Sequence, residues 1–435
     1  MSDPIHLELW QLAAPLVKTF DMMSPAVAGH SLRVGYLALH LAEELGRPEA
    51  ERRDLALAGL LHDIGAFSLG ERLDLLEFED RNPGRHASAG ALLLRSFPPF
   101  APLSPLVEFH HYPWGHGEGG KCRGIAVPEG AHLLHLADRA AVLVDVGAPM
   151  LGQVPRVCET IAQGGGARFV PEHVEALRRL ARRDFVWLDI ASGSMEPALH
   201  AAISGAGLDL DLEGLLGFAR FLCRLIDFKS GFTATHSSGV AAAGCELARL
   251  AGFSSTECVR FEIAAYLHDL GKMAVPLEVL EKPGKLDAAE WGVMRTHVYY
   301  TNQVLGPIAA LGEMVAWGGL HQERLDGSGY PFGMAAEEIP FGARIMAVAD
   351  VFTGITEDRP YRAGMPEAEA VRVLEEMAAR NALDARLVGL LLANYGEINR
   401  ARTEAQGRAV REYENFREAL GHAPEPRSCR RPRPG

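Results

Sequence analysis

Residues 263–272 read IAAYLHDLGK, and residues 57–66 read LAGLLHDIGA. Each is an apolar run at helical spacing that closes on His-Asp-x-Gly, and the copies stand 206 residues apart (268 − 62). An unpaired carboxylate in an apolar helical setting costs on the order of several kcal/mol unless it is neutralised. Two such pairs therefore ask for one common reason.

The duplication extends well past this stretch. FDMMSPAVAGHS (20–31) aligns with IDFKSGFTATHS (226–237), which matches Asp21 with Asp227, Ser24 with Ser230 and His30 with His236. Gly46 and Glu51 fall opposite Gly252 and Glu257 at the same offset. His86 pairs with His297 and His110 with His321 at an offset of 211, and Asp138 pairs with Asp350 at 212. Only six residues of net insertion (212 − 206) separate the copies across this span, so the chain is an internal duplication.

Between these landmarks the apolar spacing is helical. GVAAAGCELARLAGF stops at Gly252, and the STEC that follows carries the Ser/Thr and Glu of a helix start. HASAGALLLRSF, HVYYTNQVLG, EGAHLLHLADRAAVLVD and PFGARIMAVADVFTGI also read as helices, and alternating strand patterns are scarce. The expected fold is all-α, with two tandem helical bundles. The first occupies residues 1–190, a Gly/Ser linker spans 191–212, and the second covers 213–400. A final helix and a disordered Pro/Arg tail take 401–435. A chain of 435 residues is long enough for two domains, each with its own core.

Composition narrows the function. A formal charge of −13 argues against sequence-independent binding to duplex nucleic acid or anionic membrane. No apolar run approaches the ~20 residues of a membrane span, and the N-terminus lacks a secretory layout. The six cysteines form no CxxC pair, which fits a reduced, cytoplasmic setting.

The recurring polar set is His30, His62, Asp63, His86, His110, His111 and Asp138 in the first half. In the second it is His236, His268, Asp269, His297, His321 and Asp350. Imidazole and carboxylate without thiolate suit Fe, Mn, Zn, Ni or Co better than a Cys-type structural zinc site. An Asp next to a His bridges two ions with its two oxygens, and ions about 3.5–4 Å apart promote phosphoester hydrolysis. His6, His40, His132 and His135 read instead as ordinary core or surface histidines.

These residues resemble the HD superfamily of metal-dependent phosphohydrolases. The second half resembles the HD-GYP family over roughly 212–400. The carriers are HSSGVA at 236, LHDLGK at 267, MRTH at 294, HQERLDGSGYP at 321 and ARIMAVADVFTGITEDRPYR at 343. That resemblance implies an all-α fold, two divalent ions such as Fe or Mn, and hydrolysis of a cyclic dinucleotide, cyclic di-GMP or 3′,3′-cGAMP, to a linear product. It assigns His236, His268, Asp269 and Asp350 to one ion, and Asp269, His297 and His321 to the other. It makes Asp269 and Lys272 catalytic. Lys272, Arg344, Gly327, Gly329, Tyr330 and Pro331 are expected to meet the substrate. A signalling-protein partner on the GYP surface and a homodimer are further expectations.

Two departures stand out. Gln322 occupies the place of a second consecutive histidine, where its carbonyl would be a weaker ligand. Phe232 stands where some members carry a third-metal glutamate, so two ions are expected. The first half keeps His110-His111 but has Ala66 in place of the lysine and YPWGHGEGG in place of the GYP loop. It resembles a plain HD domain with a second candidate metal site, either acting on another phosphate or serving as a regulatory or dimerising platform. Two alternatives to the phosphodiesterase remain open. One is a catalytically weak module binding a cyclic dinucleotide or protein, and the other is an HD-type 5′-nucleotidase.

Overall fold

A computed structural model of the chain describes residues 5–78, 83–204, 207–229, 235–358 and 363–421. Ser230, Phe232 and the Pro/Arg tail fall outside these, so the readings that rest on them have no structural counterpart. The chain forms two compact units, whose bodies are Glu8–Leu208 and Asp209–Arg417. Both are helical. Strands among the described residues are confined to four short segments, such as the antiparallel pair Lys121–Cys122 and Ile125–Ala126. No described helix is long and apolar enough to cross a membrane.

In the first unit α1 (Leu9–Asp21), α2 (His30–Glu44), α3 (Glu49–Leu61), α4 (Leu69–Leu75), α5 (Pro83–Arg95) and α6 (Ser104–Glu108) precede α7 (Glu129–Val142). Then follow α8 (Met150–Gln163), α9 (Pro171–Leu180), α10 (Asp184–Ser192) and α11 (Glu196–Ile203). Helix α2 is the axis and packs against α3 and α7. Gly35 and Gly59 let two of these backbones touch, since a Cβ on Gly59 would lie 2.6 Å from the Gly35 Cα. The stretch read as a linker, 191–212, contains α11. Its Leu199 and Ile203 are fully buried, and it packs on α3 and α2. The Gly and Ser residues there only frame a helix that belongs to the first unit's core.

The second unit repeats the plan with α12 (Leu212–Lys229), α13 (His236–Leu250), α14 (Ser255–Leu267), α15 (Leu277–Leu280), α16 (Ala288–Leu305), α17 (Gly312–Gly319) and α18 (Phe341–Thr356). It ends in α19 (Glu367–Ala379), α20 (Ala385–Ala393) and α21 (Tyr395–Gly421). Here α13 is the axis, between α14 and α18. Ser254, one residue before the STEC stretch, caps α14 by accepting from the Glu257 N–H, and the side chain of Glu257, the glutamate of STEC, returns to the Ser254 N–H. Asp287 caps α16 in the same way.

The His-Asp-x-Gly stretch lies where a helix stops. His62 and His268 are the C-cap residues of α3 and α14, and a 3₁₀ turn over Leu270–Ala274 follows Asp269. The glycine then admits a helix from farther along the chain, α16 or α5. A Cβ on Gly271 would sit 1.9 Å from the His297 carbonyl oxygen, and one on Gly65 would sit 2.1 Å from that of His86. Thr301 completes the joint. It accepts from the Gly271 N–H (2.9 Å) and donates to the His268 carbonyl (3.1 Å). The repeated motif thus places one His-Asp pair and brings up the helix that carries the next histidine.

Candidate metal centres

Five elements converge on Asp269 in the second unit. His236 starts α13, His268 and Asp269 end α14, and His297 lies within α16. His321 follows α17, and Asp350 lies within α18. The Nε2 atoms of His268, His297, His321 and His236 lie 3.1, 3.4, 3.9 and 3.9 Å from the Asp269 carboxylate oxygens. His268 and His236 face one oxygen, His297 and His321 the other, so the carboxylate stands between two imidazole pairs. His236 Nε2 is also 3.1 Å from Asp350 Oδ1.

Backbone geometry sets the tautomers. Nδ1 of His268, His297 and His321 lies 2.6, 2.6 and 2.7 Å from the carbonyls of Ala265, Met294 and Gly318, each three residues earlier. With a neutral ring the proton sits on Nδ1, which leaves the Nε2 lone pair pointing inward. Burial holds His297 at about 4 and His321 at about 3, so both are neutral and ligand-competent at physiological pH. Burial would raise the Asp269 carboxyl, but His268 and Lys272 outweigh it and hold it well below the usual range.

His236 differs, because its Nδ1 lies 3.1 and 3.2 Å from the two Glu357 oxygens. Burial opposes its protonation, yet Glu357 and Asp350 push it up to about 10. A carboxylate behind a ligating imidazole is a recurrent device for fixing ring orientation and raising basicity. Gln406 of α21 donates to Glu357 (3.2 Å), and Arg402 donates to Gln406 (2.5 Å). Glu357 and Gln406 were missed in the sequence. Glu357 lies seven residues after Asp350, two helical turns along one face, and that was the available signal. Gln406 had none.

The first unit gathers its set in the same manner. His62 Nε2 and His86 Nε2 lie 3.2 and 3.5 Å from the Asp63 oxygens, and His30 Nε2 lies 3.2 Å from Asp138 Oδ1. His86 Nε2 faces His110 Nε2 at 3.3 Å and His111 Nε2 at 3.1 Å. Since His110 Nδ1 bonds the Val107 carbonyl (2.6 Å), its Nε2 is a lone pair in the neutral ring. One proton on His86 satisfies at most one of its two facing nitrogens, and a cation among the three satisfies all. Arg139, fully buried, clamps the other oxygen of Asp138 through Nε (3.0 Å) and Nη2 (2.7 Å), and its other contacts include the Leu75 and Glu77 carbonyls.

Both centres fit metal ions on chemical grounds. His62 Nε2, Asp63 Oδ1, Asp138 Oδ1, His268 Nε2, Asp269 Oδ1 and His297 Nε2 are buried without a hydrogen-bond partner, and all belong to these two clusters. Buried polar atoms are ordinarily satisfied. Such atoms occur elsewhere in the chain too, but these six are imidazole nitrogens and carboxylate oxygens that face one another, the donor set a divalent transition metal takes.

The remaining expected residues fall into two groups. Lys272 reaches the site, with Nζ 2.5 Å from Asp269 Oδ2. Tyr330 is tied to it, since its N–H donates to the Gln322 carbonyl (3.2 Å). Gly329 is a close-packing position, where a Cβ would sit 2.4 Å from Glu323 Cα, and Gly327 adopts φ +78°. Glu323, buried, accepts from the Phe332 and Met334 N–H groups and holds the far side of the loop. Arg344 has a structural role that its sequence did not signal. Its guanidinium donates to the Ile339 carbonyl (2.9 Å) and the Ala336 carbonyl and lies 3.6 Å from Asp384. It fastens the segment after the loop. Gln322 also departs from expectation, because its amide nitrogen, 3.1 Å from Asp350 Oδ2, donates to a ligand.

Fold and site together define a tandem pair of helical bundles, each with a His/Asp cluster suited to metal. Profiles of the HD domain match residues 27–143 and 220–387. The chain belongs to the HD-domain family and carries that domain twice. It is 29% identical over 402 residues to the 3′3′-cGAMP-specific phosphodiesterase 1 of Vibrio cholerae, covering 89% of this chain and 92% of that one. It is 42% identical over 185 residues to a cyclic di-GMP phosphodiesterase of Pseudomonas aeruginosa, covering 42% of this chain and 45% of the relative. The crystal structure of a V. cholerae cyclic GMP-AMP phosphodiesterase, V-cGAP3, shares the fold. The TM-score is 0.60 at 24% identity, covering 90% of this chain and 98% of that one.

Proposed function

We propose that the second unit is a metal-dependent phosphodiesterase that opens a cyclic dinucleotide, cyclic di-GMP or 3′,3′-cGAMP, to a linear product in the cytoplasm. The observation that carries this reading is Asp269, whose two oxygens each face a pair of inward-pointing imidazole nitrogens. His236, His268, Asp269 and Asp350 would hold one ion, and Asp269, His297 and His321 the other. Two divalent ions such as Fe or Mn, when bound, supply Lewis acidity and lower the pKa of water at the site.

The chain's own residues do the rest. Backbone carbonyls fix three imidazoles in the ligating tautomer, and Glu357 fixes the fourth. Lys272 places its ammonium group beside the Asp269 carboxylate, where a phosphodiester would arrive. The loop from Gly327 to Pro331, anchored through Gln322, borders the same space. It is also the surface on which a signalling protein would dock. A homodimer is part of the same reading and is checked by light scattering.

Full-length protein purified anaerobically and loaded with Mn or Fe converts cyclic di-GMP or 3′,3′-cGAMP to linear dinucleotide, and Asp269→Ala abolishes this. Equal inertness of wild type and variant under each metal contradicts the proposal. One observation favours a second reading. Gln322 stands in a histidine's place and spends its amide on Asp350, which suits a module that binds the dinucleotide and turns it over slowly. Binding without product formation distinguishes the two.

For the first unit, buried Ala66 removes the lysine and Arg139 adds a cation on Asp138. This set favours a metal centre working on another phosphate or serving a regulatory role.

A further inference from the structure

The second unit exposes an aromatic surface that metal chemistry alone leaves unexplained. Trp291, in the first turn of α16, is 48% exposed, and its ring meets that of Tyr330 edge to face at 6.1 Å and 81°. The Arg295 guanidinium lies 4.7 Å from the centre of the Tyr330 ring. Trp291 and Arg295 are four residues apart on a helix and so share a face. Arg295 is exposed, and none of its N–H groups pairs with an acid among the described residues.

Two independent connections place this cluster beside the metal ligands. Helix α16 carries His297, six residues or about 9 Å of helix rise beyond Trp291. On the other side the Tyr330 N–H bonds the Gln322 carbonyl, and the Gln322 amide bonds Asp350. Burial pushes the Tyr330 hydroxyl upward, and Asp350 and Asp269 add to the push, so both acids lie within electrostatic reach. The first unit has no counterpart in its sequence. Opposite Trp291 and Arg295 stand Asp80 and Gly84 (291 − 211, 295 − 211).

We infer that Trp291, Tyr330 and Arg295 form a purine-binding wall that holds one base of the substrate while its phosphodiester lies over Asp269. The inference rests on the functional reading above and adds where the base sits. The Trp291 face offers stacking, which any base accepts. Arg295, with its guanidinium 4.7 Å from the Tyr330 ring centre, carries N–H donors that match the O6 and N7 acceptors of guanine. The distance along α16 from Trp291 to His297 is about the span of a ribose and a base.

The test uses the full chain and two diesters cleaved by the same chemistry, cyclic di-GMP and the base-free bis(4-nitrophenyl) phosphate. In Trp291→Ala the ratio of kcat/KM for cyclic di-GMP over that for the base-free ester falls about tenfold or more, with a parallel loss of equilibrium affinity for cyclic di-GMP. Trp291→Phe recovers most of it. Arg295→Ala narrows the preference for cyclic di-GMP over cyclic di-AMP. An unchanged ratio in Trp291→Ala, with active wild type, overturns the wall and leaves the phosphodiesterase reading intact. An equal loss on both diesters overturns it too, since it marks Trp291 as structural. If wild type neither binds nor cleaves a cyclic dinucleotide, the functional reading fails first and the wall falls with it.

Discussion

The side-chain nitrogen of Gln322 lies 3.1 Å from Asp350 Oδ2, while the other oxygen of Asp350 faces His236 at 3.1 Å. The first unit does the same with different chemistry. There Arg139 holds Asp138 Oδ2 at 2.7 Å, and Oδ1 faces His30 at 3.2 Å. In both halves the last acid of the set has one oxygen held by an outer partner and the other turned toward an imidazole of the set. Replacing Gln322 by Ala releases Asp350 and weakens metal affinity about 10–100-fold, the usual effect of losing an outer partner of a ligand. Competition against a chelator of known affinity measures this. A Gln322→Ala protein that holds metal as tightly as wild type contradicts the role.

Glu357 extends the same argument. It is buried against His236 and receives Gln406 from α21, which lies beyond the matched HD segment at 220–387. Glu357→Ala loosens metal binding about 10–100-fold. Gln406→Ala acts in the same direction and more weakly, because Glu357 keeps its contact with His236. Metal retention after gel filtration, determined by elemental analysis, checks the order.

Gly271 and Gly65 form a matched pair of packing joints. A methyl group at either would strike a carbonyl oxygen at 1.9 or 2.1 Å, and the partner is backbone, which cannot swing aside. Gly271→Ala and Gly65→Ala each destabilise their own unit by about 3 kcal/mol or more, at the upper end of overpacking. Thermal unfolding followed by calorimetry reports the loss. An unchanged transition refutes the proposed joint.

The pH dependence of the metal-free protein carries two opposite signs. His297 at about 4 and His321 at about 3 lie below the ~6.5 of a free imidazole, so the unfolded chain binds more protons between those values. Their stabilisation is complete above about pH 6.5 and is lost as pH falls toward 4 and 3. His236, raised to about 10, contributes stability below about pH 6.5 that is lost as pH rises toward 10. Stability of the chelated protein is therefore highest near neutrality and declines on both sides. Denaturant titrations across pH 4 to 9 measure it, and a monotonic curve contradicts the pair.

The duplication, the helical character and the ligand order were legible because each depends on residues whose type alone is informative. His and Asp in apolar helices must meet, and a constant offset says with what. Three features were not legible. Helix α11 was hidden by flanking Gly and Ser, because burial of Leu199 and Ile203 outweighs local composition. The role of Arg344 was decided by three acceptors brought together only by the fold. Gln322 was read through its carbonyl, whereas its amide faces Asp350, a choice fixed by a residue 28 positions away.

Metal content of the full chain tests the central claim most directly. Protein purified anaerobically without chelator is assayed by elemental analysis beside the His62→Ala/Asp63→Ala pair, the His268→Ala/Asp269→Ala pair and the combination of all four. Wild type retains transition metal, each pair loses only part of it, and the combination loses it all. A wild-type chain that is free of transition metal and unfolds at the same temperature with and without EDTA contradicts the account.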